Sequence, residues 1–436
     1  MTRRRLLILC YFYPPLGGGG VHRVLGFTRH LPDHGWDCTI VCAGEDDYWV
    51  KDASLSAQVP AGTEVIRVTG GSALAALLRM RRGGGSGRRS GRAFAGLRSL
   101  SDWWLLPDSY AGWSRRAAAV ASRRIARGGV DAVLTSSPPD SVHLAGLELR
   151  RRLAVPWVAD FRDPWIALHF RTPPTAWHRR RHAAMERRVV ESADLVLAAS
   201  RTHADDVSRG ANAAGGPVPR RLEHLPNGYE PAADEAAPAM DADRFTLAFT
   251  GTLSLMPETE VLLEALHDLL ARRPEARRRL RATLAGPFDS GYADRALALG
   301  LTGIVEFTGP RPHAETRALQ RRADLLLLWK PRGAGYRTMV PGKLYEYLDA
   351  GRPVLALLDP DDEAAALVRE GGGEVLPPGR REPLAAAIER HYLAWKEGGH
   401  APPSRPAWLG AHARAGLAGR LAGMLDGLVA AGAARP

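Results

Sequence analysis

The stretch that decides the fold lies at residues 340–357 and reads VPGKLYEYLDAGRPVLAL. Pro341 suits the start of a helix, because a proline in the first helical turn forfeits no helical hydrogen bond. The apolar spacing predicts a short helix over 343–348. Gly351 ends it, and an apolar strand follows at 354–357. A short helix running into a buried strand is typical of α/β proteins.

The beginning of this helix is suited to bind an anion. Lys343 would place an ammonium group beside the free N–H groups and the positive end of the helix dipole. Glu346, one turn later, offers a carboxylate to the vicinal hydroxyls of a ribose or a hexose. A phosphate beside a diol is the outline of a nucleotide sugar. An ordinary α/β helix with a surface Lys and Glu explains the same residues about as well.

The stretch resembles the donor-binding motif of the family-four retaining glycosyltransferases. That family has the GT-B fold, an α/β class in which two Rossmann-like parallel-sheet domains face a central cleft. The resemblance implies that Glu346 holds the donor ribose and takes part in catalysis. It also implies that the backbone around Gly342, Lys343 and Leu344 holds the diphosphate. Many relatives carry a second Glu eight positions earlier, where this chain has Thr338.

Length and composition indicate a globular protein with two domains. A chain of 436 residues exceeds one ordinary core, and 45% hydrophobic with 24% charged residues is typical of a soluble protein. The net charge of +12 comes almost wholly from arginine, since only four of the 59 basic residues are Lys. This bias fits a GC-rich coding sequence, so no nucleic-acid partner is expected. Basic patches remain at 79–92 and 179–188.

The cysteines and the apolar runs predict a cytoplasmic protein. Cys10, Cys38 and Cys42 lie in two apolar segments, and an odd number in core strands argues for reduced thiols. No run reaches the roughly 18 apolar residues of a membrane-spanning helix. The first twenty residues resemble a signal peptide, but a strand running into a glycine loop explains them better.

Strands and helices alternate along two consecutive series. The predicted strands are 6–12, 36–42, 64–68, 131–136, 157–161, 195–199 and 222–225, followed by 245–249, 282–285, 305–308, 325–329, 354–357 and 374–376. The predicted domains are a first α/β domain at 1–229, a linker at 230–243, a second α/β domain at 244–405 and a helical tail at 406–436 that could dock on the first domain. The resemblance implies that the first domain binds the acceptor and the second the donor. Two such series joined by a linker are the pattern of a GT-B protein.

One segment, at 81–98, has a low-complexity sequence, RRGGGSGRRSGRAFAGLR. A disordered basic insert is the favoured interpretation. The alternative is a loop drawn to the anionic inner face of a membrane or to a phospholipid-linked acceptor, which would make the protein peripheral there.

A glycine loop at 17–20 separates the first strand from a helix predicted at 21–34. Glycines let the backbone approach a phosphate closely, although a plain turn is as good an explanation. The resemblance implies that Gly18 and Gly19 face the donor phosphates and that His22 and Arg23 lie on the acceptor side. The loop matches neither a P-loop nor a dinucleotide fingerprint, which leaves little support for an NAD-dependent enzyme.

Two further loops follow strands of the first domain. In the first, Asp140 or Ser141 is predicted to cap a helix that carries His143, either a structural or an acceptor-side residue. In the second, PWVADFRDPW at 156–165, a buried strand ends in three charges, and the carboxyl end of a parallel strand faces the ligand crevice.

The charges of the second loop are Asp160, Arg162 and Asp163. The segment resembles the R-D-x-W block of a glycosyltransferase subgroup, which implies catalytic roles for Arg162 and Asp163 and an acceptor-side role for Asp160. The resemblance implies that the leaving diphosphate itself takes the acceptor proton. The alternative is an Arg–Asp pair that only braces the loop.

The first loop of the second domain, at Gly251 and Thr252, lacks the cations that many relatives place there. An uncompensated diphosphate would be costly, so we expect its charge to be met by some of Lys330, Arg332, Arg337 and Lys343. The loop with Pro310 and Arg311 is implied to pack on the nucleotide base, or it is a simple turn.

The predicted activity is transfer of a sugar from a nucleotide-diphosphate sugar, UDP-linked above all, to a hydroxyl acceptor with retention of configuration. The acceptor would be a glycan, a lipid-linked intermediate or a small molecule, in cell-envelope polysaccharide or secondary-metabolite synthesis. No cofactor other than the nucleotide-sugar co-substrate is expected, and no metal, because no His/Cys/Asp/Glu cluster has ligand spacing. The alternative is a non-catalytic GT-B protein that binds a sugar nucleotide or a protein partner.

Overall fold

The computed structural model describes residues 3–47, 51–71, 103–165, 173–212, 218–232 and 239–433. The insert predicted at 81–98 lies outside these ranges, as does the middle of the predicted linker. The chain forms two compact units, one of Met1–Gly228 with Arg414–Pro436, the other of Tyr229–Ala413.

The first unit is built on a parallel sheet of seven strands. In chain order these are β1 Arg4–Cys10, β2 Trp36–Ala43, β3 Glu64–Val68, β4 Ala132–Ser136, β5 Trp157–Phe161, β6 Leu195–Ala198 and β7 Leu222–His224. Their order across the sheet is β3-β2-β1-β4-β5-β6-β7. The helices between them are α1 His22–His30, α2 Ala111–Ala126, α3 Ser141–Leu153, α4 Ala176–Ser192 and α5 Arg201–Asn212.

Both faces of this sheet are covered, which explains why its strands are continuously apolar rather than alternating. On β1, Leu7 and Leu9 pack into one core, together with Trp113 of α2. The alternate residues Leu6 and Ile8 pack into the core on the opposite face.

The second unit repeats the design with six parallel strands. They are β8 Phe245–Thr250, β9 Leu280–Ala285, β10 Val305–Gly309, β11 Leu325–Trp329, β12 Val354–Leu357 and β13 Glu374–Leu376, in the order β10-β9-β8-β11-β12-β13. The helices are α6 Glu258–Arg272, α7 Ala276–Arg279, α8 Ser290–Ala298, α9 His313–Arg322, α10 Gly342–Ala350, α11 Glu363–Glu370 and α12 Arg381–Gly398.

The last helix, α13 Arg414–Ala433, returns to the first unit. Leu417, Leu421 and Leu425 are fully buried in the core that contains Leu6 and Ile8. No helix within the described ranges is long and apolar enough to cross a bilayer.

The first helix is shorter than predicted. It ends at His30, and a 3₁₀ turn at Leu31–His34 carries the chain to Gly35, which has a φ of 81°. Pro32 accounts for the change, because it removes a helical N–H and crowds the preceding turn.

In each sheet the strand order reverses beside the first strand, between β1 and β4 and between β8 and β11. Parallel α/β proteins bind ligands outside the carboxyl ends of strands at such switch points. The glycine loop follows β1, and the loop containing Gly251 follows β8, so the topology directs attention to these two loops.

Candidate functional site

The site in the second unit is centred on the first turn of α10. The helix begins at Gly342, and Pro341 before it provides no side-chain cap. The N–H of Leu344 donates to the carbonyl of Pro341, 2.9 Å away, so the predicted phosphate contact from that amide is not supported. The amides of Gly342 and Lys343 remain the ones that the helix itself cannot satisfy.

The ammonium of Lys343 lies over an aromatic stack. Its Nζ is 3.6 Å from the ring centroid of Phe249, and that ring stacks on Trp329 with a centroid separation of 4.0 Å. Burial disfavours the charged form and lowers the pKa of Lys343 to about 7, although Glu346 acts in the opposite direction. A cation in this setting gains more from an incoming anion than a fully hydrated surface lysine would.

Two glycines allow the backbone to come close to Lys343. Gly251 has a φ of 132°, and a Cβ there would lie 3.1 Å from the Lys343 Nζ. Gly286 has a φ of 141°, and a Cβ there would lie 1.9 Å from the Gly251 carbonyl oxygen. Side chains at either position would therefore displace the loop after β8. Thr252, next in the chain, is exposed.

Glu346 is buried and held by two donors. His313 Nε2 donates to its Oε1 at 2.9 Å, and Gln320 Nε2 donates to its Oε2 at 3.3 Å. The same Gln320 amide lies 3.0 Å from Thr250 Oγ1, and the Tyr347 hydroxyl accepts from the Thr250 N–H at 2.8 Å. These contacts fix the orientation of the Glu346 carboxylate.

No sequence motif pointed to four residues around Glu346, namely His313, Gln320, Thr250 and Tyr347. Gln320 lies 26 residues and His313 33 residues from Glu346 along the chain. The signal that could have found His313 is its place at the start of α9, directly after the loop of Pro310 and Arg311. Those two residues are themselves exposed, and the Arg311 guanidinium lies 3.6 Å from Glu315.

Lys330 is placed differently from its predicted role. Its ammonium is buried and donates to the carbonyls of Tyr336 and Met339, at 2.6 Å and 2.9 Å, and to Asp362 Oδ2 at 3.1 Å. An ammonium has three donors, and all three are used here. Burial also lowers the pKa of Lys330, with Asp362 opposing the shift. The geometry thus assigns Lys330 to fixing the loop that precedes α10, which corrects the expected diphosphate contact.

The two remaining cations of that stretch differ. The Arg332 guanidinium is paired with the buried Glu258, which commits it to the start of α6. Arg337 is half-buried in the loop that Lys330 fixes.

In the first unit, two predicted acceptor-side residues bind each other. Arg23 donates through Nε and Nη2 to Asp160, with the shortest distance 2.7 Å, and through Nη1 to the carbonyl of Pro226. Ser136 Oγ also donates to Asp160 at 2.8 Å. Both charged side chains are almost fully buried, so the pair braces the carboxyl ends of β4 and β5 rather than presenting free charges.

Arg162 connects three loops. Its guanidinium donates to the carbonyls of Ser137 and Gly20, and a Cβ at Gly20 would lie 3.2 Å from its Nη2. Burial raises the pKa of Asp163, and Arg162 opposes that shift. Arg162 therefore braces the loop, as the alternative interpretation predicted, but it does so by donating to backbone carbonyls.

Within the glycine loop, Gly18 has a φ of 95°, a conformation that favours glycine. Gly19 has open space around its Cα, since no atom lies within 4 Å of a Cβ built there. His22 is half-buried as the first residue of α1.

His143 is an internal residue. It has no exposed surface, its Nδ1 lies 2.9 Å from Thr135 Oγ1, and its ring centroid lies 4.2 Å from that of Phe161. Burial lowers its pKa to about 3, so the ring is neutral at physiological pH. This placement corrects the acceptor-side prediction and agrees with the structural alternative.

The predicted cap of α3 is also different. The side chain of Asp140 does not cap the helix, and the N–H of Ser141 instead donates to Asp108 Oδ2, at 2.9 Å. The hydrogen-bond acceptor at the start of α3 is therefore Asp108, more than thirty positions earlier in the chain, and not the neighbouring Asp140.

No group of three His, Cys, Asp or Glu side chains that could hold a metal occurs in the described part of the chain.

The fold and site therefore define a two-unit parallel α/β protein whose second unit places Lys343 in the first turn of α10, beside the buried Glu346. Residues 18–228 match the family model described as Glycosyl transferase 4-like domain, and residues 244–393 match the one described as Glycosyl transferases group 1. The chain belongs to the family-four, group 1 glycosyltransferases, which confirms the resemblance seen in the sequence.

Curated relatives match over a shorter region. The chain is 32% identical over 153 residues to a D-inositol 3-phosphate glycosyltransferase of Saccharomonospora viridis, covering 32% of this chain and 35% of that protein. It is 30% identical over 155 residues to D-inositol 3-phosphate glycosyltransferase 2 of Catenulispora acidiphila, covering 33% and 36%. The chain thus spans about a third of the length of these relatives.

Solved structures match over almost the whole chain. HepE of Anabaena, determined with UDP-glucose, has a TM-score of 0.57 at 15% identity over 98% of both chains. An alpha,alpha-trehalose-phosphate synthase (UDP-forming) from Burkholderia vietnamiensis has a TM-score of 0.62 at 14% identity over 100% of both. At these identities the likeness shows the fold, and it confirms the predicted GT-B class.

Proposed function

We propose that this protein transfers a sugar from a nucleotide-diphosphate sugar to a hydroxyl acceptor with retention of anomeric configuration. One observation carries the proposal. Lys343, in the first turn of α10, lies beside Gly251 and Gly286, the two glycines whose backbones pass close to each other. Together they form a cationic site that a ligand can approach closely, beside the buried carboxylate of Glu346. A diphosphate fits the cationic site, and the diol of a ribose fits the carboxylate.

In this proposal Gly342 and Lys343 bind the diphosphate, and Glu346 accepts hydrogen bonds from the ribose. The loop of Pro310 and Arg311 contacts the base. In the first unit, Gly18, Gly19 and Asp163 are the predicted residues whose placement leaves them suited to contact substrates. Arg162 is proposed to hold the glycine loop in position for them.

A UDP-sugar is the proposed donor, and HepE, a protein of the same fold, was determined with UDP-glucose. A glycan, lipid-linked intermediate or small molecule is the proposed acceptor, in cell-envelope polysaccharide or secondary-metabolite synthesis. WaaG, described as a glycosyltransferase involved in lipopolysaccharide biosynthesis, shares the fold over 97% of this chain, with a TM-score of 0.60 at 16% identity. Three buried, free cysteines support a reducing, cytoplasmic setting, and we expect transfer to persist in the presence of EDTA.

The decisive experiment compares Glu346→Gln with the wild type on a panel of UDP, GDP, ADP and TDP sugars. Glu346→Gln should abolish transfer and weaken donor binding while the circular dichroism spectrum stays unchanged. Glu370→Gln is the matched control, since Glu370 is an exposed carboxylate at the end of α11 in the same unit. Full turnover by Glu346→Gln would overturn the proposal, and NMR of the product anomer tests retention.

A further inference from the structure

One surface of the first unit combines exposed indoles with unpaired arginines, and none of its residues makes the contacts described above. Trp104 is 83% exposed, Trp177 is 55% exposed and Trp103 is 51% exposed. Large aromatic side chains in water mark an interaction site when they cluster. We call these three residues, with the arginines of α4 described below, the tryptophan–arginine face.

Two of the indoles, those of Trp103 and Trp177, are held together although they come from distant segments. His178, which is buried, lies between two of them, with its ring centroid 5.7 Å from that of Trp103 and 4.8 Å from that of Trp177. Its Nε2 also lies 3.3 Å from the Trp103 carbonyl oxygen. The cluster is therefore built by the fold rather than being a chance exposure of separate side chains.

Helix α4 adds positive charge on the same side as Trp177. Residues three and four apart share a helical face, which groups Trp177 with Arg180, Arg181, Arg187 and Arg188. All four arginines are exposed. The Arg181 guanidinium lies 5.6 Å from the Trp177 ring centroid, which extends the aromatic cluster into the basic one.

These four arginines have no acidic partner among the described residues, whereas other exposed arginines do. Arg209 pairs with Asp206, Arg272 with Glu389 and Arg390 with Glu374. A helix face with four uncompensated guanidinium groups attracts anions, and guanidinium groups bind phosphate through paired donors.

We propose that the tryptophan–arginine face docks the protein on an anionic lipid membrane. Indoles prefer the boundary between headgroups and acyl chains, where their rings are apolar and their N–H groups stay hydrated. Arginines beside them would contact lipid phosphates. Leu105 and Leu106, half-buried next to Trp104, add apolar surface that suits lipid better than a nucleic acid. The inference is independent of the proposed donor and acceptor.

The test is co-sedimentation of the full chain with two kinds of vesicle, phosphatidylcholine alone and phosphatidylcholine containing phosphatidylglycerol. We expect binding to the anionic vesicles only, decreasing as salt is raised because the charges are exposed. Equal binding to neutral vesicles, or none to either kind, would overturn the proposal.

Two variants with the same change in net charge locate the surface. Arg180→Glu with Arg187→Glu should weaken vesicle binding about tenfold or more, because repulsion replaces attraction at two positions. Arg278→Glu with Arg279→Glu, on an exposed part of the second unit, should leave binding within about twofold of wild type. An equal loss in both pairs would show that only net charge matters and would reject the face.

The indoles are tested separately by Trp104→Ser with Trp177→Ser. Both positions are exposed, so circular dichroism should show an unchanged fold. We expect this variant to lose the part of vesicle binding that resists salt, and to lose the blue shift of tryptophan emission on adding anionic vesicles. If this variant still bound anionic vesicles at high salt as well as the wild type does, insertion of the indoles would be contradicted. Displacement of the wild-type protein from vesicles by low concentrations of duplex DNA would indicate a nucleic-acid surface instead.

Discussion

At the scale of single residues, the proposed donor site contains one unusual cation. The Lys343 ammonium lies over the Phe249 ring, and burial lowers its pKa to about 7. Its ammonium is therefore mostly charged below about pH 7 and mostly neutral above it. In the proposed function a diphosphate binds the charged form, so we expect binding and protonation of Lys343 to be coupled.

The first prediction follows from that coupling. Affinity for the donor nucleotide sugar should fall as pH rises above about 7, by up to tenfold per pH unit, because the lysine must regain a proton to bind. Calorimetry in buffers of different ionisation enthalpy should detect proton uptake on binding. Lys343→Arg keeps its charge at every pH in this range, so its affinity should be flat. A pH-independent affinity in the wild type would show that the ammonium does not contact the ligand.

The second prediction concerns His313, which orients the carboxylate of Glu346 without itself belonging to the predicted motif. His313→Ala removes a hydrogen bond to a charged group, and we expect the KM for the donor to rise about tenfold or more with a smaller effect on kcat. His313→Gln retains a donor and should recover much of the affinity. His391→Ala, in a half-buried His–Glu contact of α12, is the control and should leave the donor KM unchanged. An unaffected KM in His313→Ala would exclude a positioning role.

At the scale of elements, the loop between β11 and α10 is fixed by a buried ion pair. Lys330 holds two carbonyls of this loop and Asp362, which directly precedes α11. The helix start that carries Lys343 is thus positioned by a contact on its N-terminal side.

The third prediction separates stability from ligand contact. Lys330→Met leaves a buried carboxylate unpaired and should lower the free energy of unfolding by about 3 to 5 kcal/mol. Asp362→Asn should also lower the free energy of unfolding, and urea denaturation measures both changes. Both variants should weaken donor binding only because the loop before α10 is less well fixed. If Lys330 contacted the diphosphate directly, Lys330→Met would lower affinity with unchanged stability, and Asp362→Asn would leave affinity intact.

At the scale of the whole molecule, the end of the chain completes the core of its first unit. Leu421 of α13 is fully buried in a core that also contains residues of β1 and β2, about four hundred positions earlier in the chain. The Trp36 indole N–H also donates to Asp426 Oδ1 at 3.0 Å. The last helix is thus part of this unit rather than an appendage.

The fourth prediction is that Leu421→Ala destabilises the protein by about 2 to 5 kcal/mol, the range for a buried leucine whose cavity cannot collapse. Guanidinium denaturation followed by tryptophan fluorescence measures it, since Trp36 lies in the same core. Ala430→Ser, on the exposed side of α13, should stay within about 0.5 kcal/mol of wild type. An unchanged free energy of unfolding in Leu421→Ala would mean that α13 contributes little to the core.

Much of the fold could be predicted from the sequence, because strands and helices are encoded by short, local patterns of residues. All thirteen strands named above were predicted, with ends that differ by at most a few residues, since buried parallel strands read as short apolar runs between turns. The helix start at Lys343 and Glu346 was legible for the same reason, because proline, lysine and glutamate stand within six consecutive residues.

What the tertiary structure alone decided is which partner each polar side chain takes. Lys330 and Lys343 look equivalent in the sequence, yet one is locked into Asp362 and two carbonyls while the other faces an aromatic ring. His143 looked available and is internal, whereas His313 drew no attention and holds Glu346. Periodicity determines which face of an element is buried, but hydrogen bonds join atoms from segments that meet only when the sheets assemble. The sequence by itself therefore determined the two α/β series and the position of the helix start with Lys343 and Glu346, and the packed fold determined which polar side chains are engaged within the protein.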